Sequence, residues 1–61
     1  MTTNVTVNAH CAEDTEVYVE IYDKETGIMI ETDYLQNKDT KVYYVYDNRF
    51  IRIGEIKKNE I

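Results

Sequence analysis

Sixty-one residues suffice for one domain, and residues 1–61 read as a single all-β unit. Twelve acidic against seven basic side chains leave a net charge of −5. That excess argues against gripping nucleic acid through its phosphates, which needs a cationic face, but allows the chain to occupy the basic groove of a nucleic-acid-binding protein. Cys11 is the only cysteine, which excludes an intrachain disulfide, and the lack of any serine removes the serine nucleophile.

Asn4, Thr6, Asn8 and His10 alternate with Val5, Val7 and Ala9, so Thr2 to His10 is expected to form the first strand. Ala12 to Thr15 is polar and suited to a turn. From Val17 to Leu35, two alternating runs, VYVEIYD and IMIETDYL, flank KETG, the strongest hairpin signal in the chain. A four-residue loop over Lys24 to Gly27 sets Asp23 opposite Ile28, Ile21 opposite Ile30 and Val17 opposite Tyr34. Gly27 then supplies the positive φ. In that register Val17, Val19 and Ile21 share an aliphatic row with Ile28 and Ile30. Tyr18, Glu20, Tyr22, Glu31 and Asp33 gather on the other face, with Glu20 across from Glu31 as a like-charge pair.

QNKDT (36–40) has the composition of a turn, with Asn37 suited to the left-handed conformation. KVYYVYD then puts Val42, Tyr44 and Tyr46 on one face and Tyr43 and Val45 on the other. Asp47-Asn48 reads as a two-residue hairpin turn, returning Ile51 opposite Tyr44 and Arg52 opposite Tyr43. Gly54 inside a strand signals a bulge or a close backbone approach. Lys57 to Ile61 reads as a frayed charged tail. The expected product is a five-stranded antiparallel meander closing into an open barrel or a miniature sandwich. Apolar residues on both faces of the last two strands favour a homo-oligomer, with an edge strand as template.

The opening NVTVNAHC (Asn4 to Cys11), the turn LQN-x-DT (Leu35 to Thr40) and the closing VYDNR-x-I-x-I-x-E-I (Val45 to Ile56) together resemble small accessory proteins encoded by tailed bacteriophages. The resemblance spans most of the chain. It implies an accessory protein acting in the cytoplasm of a host bacterium and a glycine where this chain has Lys38. It carries over no catalytic or binding residue.

Few constellations favour chemistry. His10 and Cys11 are adjacent, so on a strand they point to opposite sides and cannot chelate one metal or act as a nucleophile pair. Glu13, Asp14 and Glu16 lack the glycine-centred spacing of a calcium loop. Glu20, Glu31 and Asp33 would make an acid/base or magnesium site only within a cleft, which one small sheet hardly offers. With Gly27 and Gly54 the only glycines, there is no phosphate-cradling loop. No enzymatic activity, cofactor or metal is expected. No run approaches the length of a membrane span and no signal peptide precedes the first strand, so the expectation is a complete cytoplasmic protein away from membranes.

Tyrosine is the unusual component, six in all. Tyr34, Tyr44 and Tyr46 are expected in the core and Tyr18, Tyr22 and Tyr43 on the opposite face. Rigid tyrosines among carboxylates suit a protein-binding surface. The candidate site is therefore Tyr18, Glu20, Tyr22, Glu31, Asp33, Tyr43 and Arg52, its partner a host or phage protein, with inhibition of a host defence or nucleic-acid-handling protein as one version. The alternatives are a structural homo-oligomer or virion component, and a sponge for a nucleotide-like ligand held between subunits by Arg49, Arg52 and tyrosines.

Overall fold

The computed structural model describes residues 2–58. Its five strands are β1 (Thr2–Asn8), β2 (Thr15–Asp23), β3 (Met29–Leu35), β4 (Thr40–Tyr46) and β5 (Arg49–Lys57). They form two antiparallel sheets, a β1-β4 ribbon and a three-stranded sheet in the order β3-β2-β5. The all-β antiparallel class expected from the alternation is present. The meander is not: of the sequence neighbours, only β2 and β3 pair.

β2 takes the centre of its sheet because both its faces find matched neighbours. Toward β5, Val19 lies beside Ile53 and Ile21 beside Ile51 on one face, while Glu20 meets Arg52 and Tyr22 meets Phe50 on the other. These cross-strand pairs replace the expected β4–β5 hairpin, in which Ile51 would have met Tyr44 and Arg52 would have met Tyr43. Asp47-Asn48 is still a turn, but it carries the chain from one sheet to the other. The Asn48 carbonyl accepts a bond from the Lys24 amide (2.9 Å), which ties this corner to the β2–β3 loop.

That loop closes as its residues dictate. The Asp23 amide donates to the Ile28 carbonyl at 3.0 Å, Gly27 adopts φ 72°, and Asp23 Oδ1 accepts the Glu25 and Thr26 amides. Tyr22 then pairs with Met29, but the next pair is Ile21 with Glu31, leaving Ile30 as an extra bulged residue. Every later pair is displaced by one: Val17 lies opposite Leu35 rather than Tyr34, and Val19 opposite Asp33. A one-residue displacement exchanges the faces. The benefit is visible in the packing, since Leu35 becomes 5% exposed while Tyr34 stays 52% exposed. The expected Glu20–Glu31 clash disappears as well, because Glu20 now pairs with Thr32.

β1 and β4 pair Val5 with Tyr43 and Val7 with Lys41. The pairing continues past β1, with Ala9 exchanging backbone bonds with Asp39 and Lys38. The buried core, Val7, Ala9, Val19, Ile21, Leu35 and Tyr43, draws on both sheets, with Val5, Val17 and Ile51 packed against it. The tyrosine assignment is thereby reversed. Tyr43 is the buried one, and Tyr34, Tyr44 and Tyr46 are exposed.

In the turn before β4 it is Lys38, not Asn37, that is left-handed, with φ 74°. Asn37 instead accepts the Cys11 amide through Oδ1 (3.1 Å). Part of the supposed tail is ordered: Lys57 pairs with Thr15, and the Lys58 amide donates to the Asp14 carbonyl. The remainder of that tail, residues 59–61, lies outside the described residues. Among the described residues no helix is long and apolar enough to cross a membrane.

Candidate functional site

The outer face of the three-stranded sheet is set by even-numbered residues of β2, β3 and β5. Tyr18, Glu20 and Tyr22 project from the central strand, flanked by Thr32 and Tyr34 on β3 and by Phe50, Arg52, Gly54 and Ile56 on β5. Tyr18 lies across the backbone of Gly54, where an added Cβ would collide with its Oη, Cζ and Cε2. The strand glycine is therefore a close-approach position that seats an aromatic ring. Tyr22 and Phe50 stack with ring centroids 5.1 Å apart and planes 10° from parallel.

Charge is paired within this face. Glu20 Oε1 accepts the Tyr22 hydroxyl at 3.0 Å and lies 3.9 Å from Arg52 Nη1. The Arg52 guanidinium also sits 5.9 Å from the Tyr22 ring centroid. The bond to Glu20, with lesser help from burial, raises the Tyr22 phenol above its ordinary range. Together Tyr18, Glu20, Tyr22, Tyr34, Arg52 and Ile56 line a shallow hollow of about 280 Å³.

The remaining sequence-derived site residues, Glu31, Asp33 and Tyr43, belong elsewhere. The bulge at Ile30 turns Glu31 and Asp33 to the core-facing side of β3. There Asp33 Oδ2 accepts both Lys41 Nζ (2.6 Å) and the Tyr43 hydroxyl (2.8 Å), and Oδ1 accepts the Tyr34 amide (2.9 Å). Lys41 first, then Tyr43, hold the Asp33 carboxyl below its usual range. Burial, reinforced by the bond to Asp33, pushes the Tyr43 phenol well up, and Asp33 likewise raises Lys41. This cluster fastens the ribbon to the three-stranded sheet, a role in packing. Because Glu20 stands on the opposite face, it cannot join Glu31 and Asp33 around one cation or pair with either as acid and base.

Arg49 and Arg52 likewise part company, each lining a different hollow. Cys11 is half-buried, its Sγ 3.5 Å from the Thr15 carbonyl, while His10 is exposed. The sequence-derived site leaves out Tyr34, Phe50, Ile56 and Gly54, the last noted only as a bulge or a close approach. Phe50, Gly54 and Ile56 share the parity of Arg52 along β5, so the alternation held that signal, but only for a reader who set β5 beside β2. Comparison with family models, with characterised proteins and with solved structures finds no match to this chain.

Proposed function

We propose that this is a small non-enzymatic binding protein whose outer β3-β2-β5 face docks onto a host or phage protein. The observation that carries the reading is the ordered aromatic platform, Tyr18 on Gly54 and Tyr22 on Phe50, with Arg52 beside it. Tyrosine and arginine are the residue types that dominate binding energy at protein interfaces. The resemblance to phage accessory proteins supports a host-cytoplasmic setting, with a defence or nucleic-acid-handling protein as one partner class. The two core-sharing sheets and an 11 Å smallest Cα extent favour a miniature sandwich over an open barrel.

The platform shifts the recognition mode from acidic to aromatic. Glu20 already faces Arg52, and Glu31 and Asp33 are on the other side, so salt should matter less than ring contacts. A pull-down from bacterial lysate at low and high salt, with wild-type and Tyr34→Ala baits, tests this. The expected result is a partner retained at high salt and lost with the variant. No partner, or one released by salt and indifferent to Tyr34→Ala, contradicts it.

A homo-oligomer is the second reading, favoured by a different surface. β4 exposes Val42, Tyr44 and Tyr46 on the outer side of the ribbon. Light scattering across concentration decides it, a strict monomer removing this reading.

A further inference from the structure

A second hollow, of about 390 Å³, opens where β1, β4 and the start of β5 come together. Its volume falls within the range of small-molecule sites. Val5, Val45 and Ile51 supply aliphatic wall, and Lys24 and Arg49 supply two cations against one carboxylate, Asp47. The Arg49 guanidinium lies 5.0 Å from the Tyr46 ring centroid, and its Nε–H is buried without an acceptor.

Neither cation has a carboxylate within 4.0 Å among the described residues, where the ion pairs are Lys41–Asp33 and Arg52–Glu20. Asp23, the cross-strand neighbour of Arg49, commits Oδ1 to the Glu25 and Thr26 amides. On a chain of net charge −5, two cations that form no ion pair among the described residues thus line one hollow beside apolar wall. Arginine matches the geometry of carboxylate and phosphate oxygens, and the ring beneath it restrains its plane.

We propose that this hollow binds a small organic anion, a phosphate or carboxylate carried on a planar apolar body of mononucleotide size. The body rests on Val5, Val45 and Ile51 while the anionic group meets Arg49 and Lys24. Arg52 takes no part, and one subunit suffices.

Titrating the isotope-labelled full chain with AMP, naphthoate, adenosine and inorganic phosphate, followed by amide chemical shifts, tests this. AMP or naphthoate should saturably shift Val5, Val45 and Arg49, and bind about tenfold or more tighter than adenosine or phosphate alone; which of the two binds tells phosphate from carboxylate. Lys24→Gln and Arg49→Gln should each weaken binding about tenfold, and Arg52→Gln should leave it unchanged. Lys24 is exposed in a turn, so its variant keeps the fold even if the Arg49 variant does not. No saturable shift with either anion, undiminished binding by Lys24→Gln, or shifts confined to Tyr18, Tyr34 and Arg52 would each overturn the proposal.

Discussion

The two faces of β2 are one residue out of step and are held by different physics. On one, Val19 and Ile21 are 1% and 3% exposed and are held by volume and exclusion of water. On the other, Tyr18, Glu20 and Tyr22 are half-buried and held by specific neighbours: a glycine, a guanidinium and a phenyl ring. The first face depends on what fills it, the second on where each partner stands. A surface of the second kind can lose a member without losing the fold, which is what a binding face requires.

Substitutions on adjacent residues make this contrast measurable. Ile21→Ala should cost about 2–5 kcal/mol in urea denaturation, enough to unfold so small a domain. Tyr22→Ala should leave the transition much closer to wild type while abolishing partner capture. Equal losses at the two positions would erase the distinction.

Asp33→Ala comes next, at about 1–2 kcal/mol, because the buried Tyr43 hydroxyl loses a charged acceptor. Its depressed pKa fixes the sign of the pH dependence. The wild-type advantage is present above the ordinary carboxyl value of 3.8 and fades as pH falls through the lower folded value. Raised Tyr43 and Lys41 act at the other end, contributing stability below their ordinary 10.0 and 10.5 that is lost as pH rises through the folded values. Urea midpoints of wild type and Asp33→Asn across pH should converge in acid; a constant gap would contradict the linkage.

Gly54→Ala should cost only about 1 kcal/mol, since the obstructing atoms are the outer end of the Tyr18 ring. It should nonetheless displace that ring, seen as changed Tyr18 aromatic shifts and weaker partner capture. Unmoved shifts would mean that the ring does not rest on the glycine. The smallest expected effect lies off both faces: Lys38→Gly relieves a left-handed lysine and should raise the thermal midpoint, by up to about 1 kcal/mol in stability.

The alternation carries the five strands and the loop ending at Gly27, marks Gly54 as a bulge or a close approach, and singles out Tyr18, Glu20, Tyr22 and Arg52. Periodicity, however, is local and indifferent to register. Ile30 carries no glycine or proline to advertise a bulge, and its displacement alone moved Glu31 and Asp33 away from Glu20. Nor does alternation say which strands are neighbours. Asp47-Asn48 reads identically whether the strands around it pair or separate, so alternation leaves Tyr43 on the outer face, just as the unbulged hairpin register leaves Tyr34 in the core. The preference of β5 for β2 rests on pair complementarity across 30 or so residues of chain, a weaker signal than a turn motif.

The central claim, that Ile30 is bulged and so sorts the side chains of the hairpin, is open to one direct measurement. Cross-strand proton contacts along β2 and β3 should join Tyr18 with Tyr34, Val19 with Asp33 and Glu20 with Thr32. Contacts joining Val17 with Tyr34 and Glu20 with Glu31 would instead mean an unbulged ladder, an acidic outer face and a different protein surface.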